Sequence, residues 1–459
     1  MSAELKLDDV LKGVQVESKI GSDLTVAGIK IDSRKVEVGD MFIALSGEQV
    51  DGHDYIKPAI DRGATSVMCE RLPDYLNENV TYIRVEDSRY AAGVVASTYY
   101  GDPSARLKVV GVTGTNGKTT VASLLYRLFK GLGYKVGLVS TIEILVHEKK
   151  LPSTLTTPDV VSLHRLFRLM VDEGCDYVFM EVSSHAVVQR RITGVTFCGG
   201  VFTNISHDHL DYHGTFKNYI RAKQLFFEGL DTTCFALTNI DDRNGEVMIQ
   251  TTNAKVVRYS LQHNSEFKAK VISEGIEGIE MDINGLRFFT RMVGRFNVYN
   301  LTAVYAVASQ FDMVENEEIV RVLSSLRNVK GRMEMVSSKP RVIVDYAHTP
   351  DALHNVLLTL QKLRPVGKVI TVVGCGGNRD QEKRPRMGRI AEELSDLVIL
   401  TSDNPRDENP DRIIEQMMEG IPDERRANVL QIVDRKNAIK TSLHIAESDD
   451  IILISGKGH

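Results

Sequence analysis

The chain has 459 residues, 42% of them hydrophobic and 25% charged, with a formal net charge of −5. At roughly 150 residues per domain that length predicts about three domains, and no stretch approaches the ~20 apolar residues of a membrane span. The acidic balance excludes a broad nucleic-acid-binding face, and five scattered cysteines (Cys69, Cys175, Cys198, Cys234, Cys375) without a CxxC pair exclude a disulfide scaffold and a zinc ribbon.

The N-terminal MSAELKLDDV lacks the basic start and apolar core of a signal peptide. A cytoplasmic protein without membrane insertion is expected. Residues 1–107 read as short strands and turns with one or two helices, closed by the linker YYGDPSARLK at 99–108. From 108 the pattern becomes α/β. The apolar strand KVVGVTG runs into NGKTTVASLLYRLFKGLG, where Val121, Leu124, Leu125 and Leu128 recur at helical spacing. YVFMEVSS (177–184) and GGVFTNIS (199–206) read as buried strands, and 232–295 as a peripheral hairpin region with Gly and Asn turns.

From 330 strands and helices alternate: RVIVDY (341–346), helix 350–363, KVITVVG (368–374), helix 385–394, LVILTS (397–402), helix 409–419, VLQIV (429–433), helix 435–446 and IILIS (451–455). Such alternation predicts a parallel, doubly wound sheet. The expected fold class is α/β in three domains. A small N-terminal α/β domain (1–107) precedes a central P-loop domain with a parallel sheet (108–329) and a C-terminal Rossmann-like, doubly wound domain (330–459).

GVTGTNGKTT (111–120) is the strongest local signal. A buried strand, a glycine turn, Lys-Thr and an amphipathic helix make a phosphate cradle, because backbone amides converge at the helix N-terminus. Lys118 would reach the β- and γ-phosphates, and Thr119 would face Mg²⁺. The first glycine of the strict GxxxxGK[ST] pattern is replaced by Val112, so the loop is a variant. In FKNYIRAKQLFFEGL (216–230) the apolar stripe Phe216, Tyr219, Ile220, Phe226, Phe227 and Leu230 has Lys223 in its middle. A lysine there must snorkel, pair or change its chemistry. TNISHDHLDYHGT (203–215), just upstream, is dense in His and Asp, as a metal or phosphate site requires, although such spacing also arises by accident in loops.

Together these segments resemble the Mur ligases, which build the peptidoglycan stem peptide, and the likeness spans nearly the whole chain. The resemblance implies an ATP-binding loop at Gly114, Thr115, Asn116, Gly117, Lys118, Thr119 and Thr120. It implies a carbamylated Lys223 which, with Thr119, Glu181 and His209, coordinates Mg²⁺. EVSSHAVVQRR (181–191) and LTTPD (155–159) match the segments that contact a uridine-nucleotide sugar peptide, carrying over Ser183, Gln189, Arg191, Thr156 and Thr157. IDSRKVEVGDMFIALSGEQ adds Ile31 and Ser33, with Glu48 to Val50 beside them. GRFNVYN places Asn297 and Asn300 near the nucleotide, KGRMEMV offers Arg332 as a phosphate contact, and VDYAHTPDAL sets Asp345 and His348 beside the nucleotide. The catalytic group implied is Lys118, Lys223, His209, Arg332 and His348.

In a doubly wound sheet, ligand loops lie at the carboxyl ends of the strands. Here those loops are Tyr346–Thr349, Cys375–Asp380, Ser402–Arg406 and Gly456–His459. Two of them bring Arg379 and Arg406, which suit carboxylates. SDNPRDENP also presents Asn409 as a helix cap and Pro410 in the first turn. The resemblance makes DNPR the recognition segment for meso-2,6-diaminopimelate, with Arg406 on the distal carboxylate and Arg379, Asp403, Asn404, Pro405 and Gly456 around it. Lysine-adding relatives generally lack that arginine. The family continues GKGHE, so the glutamate that would hold the distal amino group is expected beyond His459, and the third domain is expected to be cut short.

The implied activity is an ATP- and Mg²⁺-dependent amide ligase that adds meso-diaminopimelate to the D-Glu γ-carboxylate of UDP-N-acetylmuramoyl-L-Ala-D-Glu through an acyl phosphate. Domain 1–107 would hold the UDP substrate, 108–329 ATP, and 330–459 the amino acid, with closure of the third domain onto the second. The partners expected are these small molecules, with no nucleic acid, and the expected state is a monomer. Two rivals remain at this stage. One is a folylpolyglutamate-type amide ligase, which should lack DNPR and the uridine segment. The other is a nucleotide-dependent switch that uses the loop without ligation.

Overall fold

The computed structural model describes residues 5–47, 50–153, 155–311, 315–364 and 366–456. Glu48 and Gln49, two of the uridine-segment positions, and the terminal residues Lys457, Gly458 and His459 lie outside the described residues. The contacts divide the chain into two units, residues 1–111 with 134–199 and residues 112–133 with 200–459.

The first unit contains a five-stranded sheet ordered Val16–Ile20, Thr81–Val85, Ser66–Cys69, Met41–Ile43 and Ile29–Lys30. Val16–Ile20 pairs antiparallel and the other neighbours pair parallel. Met41, Ile43, Met68, Ile83 and Val85 point to the side covered by the helix Ser88–Tyr99, while Phe42, Val67 and Tyr82 point to the other. That is the period-two alternation of a sheet buried on both faces. The same unit holds Val136–Val139 parallel to Tyr177–Glu181, with the hairpin Ile144–Val146 and Lys149–Leu151 beside it. The amphipathic helix Val160–Asp172 is capped by Asp159, which accepts from Ser162 N. The buried strand expected at 177–184 ends at Glu181, because Ser183 starts the next helix as its N-cap.

The strand Lys108–Thr113 delivers the chain to the helix Lys118–Gly131, which belongs to the second unit. Phe235–Asn239, Lys255–Ser260 and Phe267–Gly275 run parallel in sequence order, and Gly278–Ile283 and Leu286–Thr290 complete an antiparallel meander. The hairpin region expected at 232–295 is therefore only half a hairpin. Its first two strands belong to the parallel sheet, as the buried Ala236, Leu237, Val257 and Tyr259 require.

The last sheet has the order Glu334–Ser338, Arg341–Asp345, Ile451–Ser455, Val369–Val373, Leu397–Leu400 and Val429–Gln431. Five strands are parallel, and Glu334–Ser338 joins the edge antiparallel. Val369 and Val373 pack on the helices Pro350–Leu363, Lys383–Glu393 and Pro410–Met418, whereas Ile370 and Val372 pack opposite, beside Ala438 and Ile439 of the helix Arg435–Ile445. Helices on both faces make the sheet doubly wound, as the alternation predicts. Among the described residues no helix is long and apolar enough to cross a membrane.

Candidate active site

The glycine loop is built by hydrogen bonds from neighbouring loops. Thr115 N donates to Asn204 O at 2.8 Å, and Asn116 N to Asn204 Oδ1 at 2.9 Å. Thr203 Oγ1 returns a bond to Asn116 O at 2.6 Å, and Thr115 Oγ1 lies 3.0 Å from the Tyr219 hydroxyl. Gly114 is obligatory here. Its φ is +149°, and a Cβ would sit 2.0 Å from Thr203 Oγ1 and 2.9 Å from Asn204 O. The loop then opens onto a helix N-terminus, where unsatisfied backbone N–H groups favour an anion.

Two lysines meet at this turn. Lys118 Nζ donates to Gly114 O and Thr115 O, both at 2.9 Å, and Lys223 Nζ donates to the same Gly114 O at 2.9 Å. Lys223 is 1% exposed and does not snorkel; its Nζ lies 4.6 Å from the centre of the Tyr219 ring. Burial pushes its pKa well below the usual lysine value, Lys118 pushes it the same way, and Asp208 opposes them. The helix Phe216–Glu228 aims this side chain inward because Tyr219, Ala222, Phe226 and Phe227 share its buried face. The stripe predicted for this helix holds there, while Phe216 and Ile220 are only half-buried.

Asp208 is the anion among these cations, and no role was predicted for it. Burial favours its neutral form, but His209, His348, Lys383 and Lys118 outweigh that and lower its pKa. His209, with φ +54°, donates its backbone N–H to Asp208 Oδ1 at 2.9 Å. His348 donates from Nδ1 to Tyr346 O at 3.0 Å, and Lys383 Nζ donates to His348 O at 3.0 Å. Burial keeps the His348 pKa below the ordinary imidazole value, with Asp208 opposing and Lys383 reinforcing. His348 is therefore a neutral imidazole at pH 7.

Arg332 reaches the loop directly, donating from Nη2 to Thr119 Oγ1 at 3.0 Å, and its guanidinium lies 4.3 Å from the Tyr346 ring centre. The buried Asp345 accepts Met333 N at 2.7 Å and Ala347 N at 2.8 Å, so it fixes the segment that carries Arg332. Asn116 Nδ2 donates to Asp351 Oδ2 at 3.2 Å, a partner with no sequence signature. Asn297 and Asn300 are buried behind the loop. Asn300 Nδ2 donates to Asn297 Oδ1 at 3.0 Å, and Asn300 Oδ1 lies 2.8 Å from where a Cβ on Gly117 would be.

In the other unit, Glu181 is fully buried. Its Oε1 accepts Thr141 N at 2.7 Å, and its Oε2 has no partner among the described residues. Thr157 Oγ1 donates to Glu181 O at 2.8 Å and accepts Ser183 N at 3.2 Å; Thr156 Oγ1 accepts from Thr141 Oγ1 at 3.0 Å. Arg191 donates to Thr157 O at 3.0 Å and to Gln189 Oε1. Thr156, Thr157, Glu181, Ser183, Gln189 and Arg191 thus form one cluster. Ser33 is buried in the turn after Ile29–Lys30, and Ile31 packs on a core that includes Val160 and Val161.

At the carboxyl ends of the last sheet, Gly377 N donates to Asn404 O at 2.9 Å and Gly456 N to Asp345 O at 3.0 Å. Arg406 is exposed, adopts φ +50° and donates from Nη1 to Gly377 O at 2.7 Å. Arg379 is exposed on the facing loop. Asn409 caps the next helix by accepting Asp411 N, with Pro410 in the first turn, as predicted.

Three family descriptions match the chain: "Mur ligase family, catalytic domain" at residues 25–100, "Mur ligase middle domain" at 112–308 and "Mur ligase, glutamate ligase domain" at 331–458. The UDP-N-acetylmuramoyl-L-alanyl-D-glutamate–2,6-diaminopimelate ligase of Phocaeicola vulgatus is 51% identical over 99% of this chain and 95% of its own length. The ligase of the same name from Cytophaga hutchinsonii is 52% identical over 99% of this chain and 94% of its own length. A solved structure bearing that name superposes with a TM-score of 0.70 at 30% identity, covering 100% of this chain and 94% of the other. The chain belongs to the Mur ligase family.

Proposed function

We propose that this chain joins meso-2,6-diaminopimelate to UDP-N-acetylmuramoyl-L-Ala-D-Glu, forming ADP and phosphate, in peptidoglycan precursor synthesis. The observation that carries the reading is the identity of about half, over the full length, to ligases named for that reaction. The D-Glu γ-carboxylate oxygen attacks the γ-phosphorus of ATP, and ADP leaves. The diaminopimelate amine then attacks the acyl-phosphate carbon, loses a proton and expels phosphate.

Positioning and charge neutralisation carry such a phosphoryl transfer. Lys118 and the amides of Gly114–Thr120 would hold the β- and γ-phosphates, and Arg332 would add a second cation at Thr119. The neutral His348 and the Asn297–Asn300 pair would shape the nucleotide side, with Asp345 fixing Arg332 in place. The proposed Mg²⁺ ligands are Glu181, whose buried Oε2 lacks a partner, together with Thr119, His209 and Lys223 as a carbamate. Oxygen donors suit that hard cation, and when bound the ion would neutralise phosphate charge. The depressed pKa of Lys223 fits carbamylation, because a free amine adds CO₂ and releases one proton.

Ser33, Ile31, Thr156, Thr157, Ser183, Gln189 and Arg191 would bind the UDP-dipeptide. Arg379, Arg406, Asp403, Asn404, Pro405 and Gly456 would bind diaminopimelate, with the Arg406 guanidinium on its distal carboxylate. The working state proposed is a cytoplasmic monomer built of substrate (1–107), ATP (108–329) and amino-acid (330–459) domains. Phosphate release coupled to mass detection of the UDP-tripeptide tests the reading. Release that requires all three substrates, with an equal amount of tripeptide, is expected. Nucleotide hydrolysis without an amide product would overturn it.

A further inference from the structure

Helix Lys383–Glu393 carries a fully buried arginine, Arg384, that the chemistry above does not use. Its Nη1 donates to Glu408 Oε2 and its Nη2 to Glu408 Oε1, both at 2.8 Å. This is the bidentate fork that gives geometric specificity as well as energy. Arg384 also donates to Gln416 Oε1 and, at 3.2 Å, to Gly376 O. Glu408 Oε1 accepts the backbone N–H of Asn378 as well. One ion pair therefore grips both acceptor loops. Glu408 belongs to the loop that carries Arg406, and Gly376 and Asn378 to the loop that carries Arg379.

Between these anchors the two backbones touch. A Cβ on Gly377 would lie 1.9 Å from Pro405 O. Arg406 sits in this seam with φ +50°, a conformation that a non-glycine residue holds only when its surroundings impose it. Arg384 is buried and the Glu408 side chain 23% exposed; an ion pair with a buried partner is a poor source of stability, since apolar residues of similar volume often do as well, and its better-attested use is to fix one arrangement. The neighbouring arginine keeps the Glu408 carboxyl down at about 2, so the pair stays charged at working pH.

We propose that Arg384 and Glu408 are a positioning pair that locks the two acceptor loops together, holds Arg406 in its left-handed, presented conformation, and so sets the preference for an acceptor amino acid with a second carboxylate. The proposal rests on the diaminopimelate reading above. Glu408→Gln keeps the shape and one acceptor oxygen but removes the charge; Arg384→Lys keeps the charge but removes the fork.

The test is steady-state kinetics on the full chain, with KM and kcat for each substrate and with diaminopimelate against L-lysine, after thermal unfolding confirms folded variants. Glu408→Gln is expected to raise the diaminopimelate KM about tenfold or more, to leave the ATP and UDP-dipeptide KM values within about twofold, and to lower the diaminopimelate-over-lysine ratio in parallel. Arg384→Lys should do the same; if it fails to fold, Glu408→Gln decides alone. Arg406→Ala is run alongside. If Arg406→Ala raises the diaminopimelate KM and Glu408→Gln does not, the positioning role is overturned while the diaminopimelate reading stands. A parallel rise of all three KM values also overturns it. If Arg406→Ala leaves the diaminopimelate KM unchanged, the reading fails and the proposal falls with it.

Discussion

Lys118 and Lys223 share one acceptor: each donates to the carbonyl oxygen of Gly114 at 2.9 Å. Two ammonium groups on one oxygen repel, and the buried partner yields: burial and the neighbouring Lys118 push the Lys223 pKa well below the usual lysine value. The loop that would receive the phosphates is thus lined by Lys118 and by a Lys223 that burial and its neighbour's charge make less basic, a division of labour between the two.

Replacing Lys223 tests that division. Lys223→Ala should lower phosphate release by about 100-fold or more, the scale of losing a preorganised electrostatic group, while the protein stays folded. Formate or acetate, entering the vacated space as a carboxylate, should restore part of the rate. Undiminished turnover in the variant contradicts the assigned role.

Gly114→Ala should remove ATP binding and destabilise the fold. The added Cβ would lie 2.0 Å from Thr203 Oγ1, at a backbone φ of +149°. Strain of this kind costs on the order of 1–3 kcal/mol. Thermal unfolding and nucleotide titration read the two effects, and an unchanged ATP affinity contradicts the loop assignment.

Asp345 acts through its neighbours. Both carboxylate oxygens accept backbone N–H groups, from Met333 and Ala347. Asp345→Asn presents an N–H₂ to one of those donors and should cost about 1–3 kcal/mol of stability. It should also raise the ATP KM, because Arg332 precedes Met333. Chemical denaturation and kinetics measured together check the link; loss of stability with an unaltered ATP KM breaks it.

Acid stability reports the Arg384–Glu408 pair. Glu408 has its folded pKa lowered from 4.5 to about 2, chiefly by the Arg384 hydrogen bond. A depressed carboxyl pKa gives stability that is complete above the unfolded value and is lost as pH falls toward the folded one. Wild-type protein should therefore lose stability between pH 4.5 and about 2, and Glu408→Gln should lose less across that window. Identical acid limbs for the two proteins would contradict the pair's contribution.

The sequence revealed much of this arrangement where a residue broke its local pattern. Lys223 interrupts an apolar stripe, and glycines punctuate the strand-to-helix turn at Gly114, so both could be read without a structure. Arg406 stood out between its proline and its acids. Arg384 did not, because Lys383, Arg384 and Arg386 all look like solvated charges. Only the packing of the helix Lys383–Glu393 against Pro410–Met418 decides which one turns inward. Thr141 was equally hidden, since its contribution to Glu181 is a backbone N–H that any residue supplies. Asp208 escaped because its partners His348 and Lys383 are remote in sequence. The strands at 235–260 were misread as peripheral because turn-rich sequence gives no sign of which sheet a strand will join.

The central claim is acceptor choice through Arg406, and the most direct measurement is kcat/KM for meso-diaminopimelate against L-lysine, with ATP and UDP-N-acetylmuramoyl-L-Ala-D-Glu saturating. A site built to grip a second carboxylate should prefer diaminopimelate by about a hundredfold or more, and Arg406→Ala should erase most of that margin. Equal use of the two amino acids, or a preference for lysine, would contradict the account.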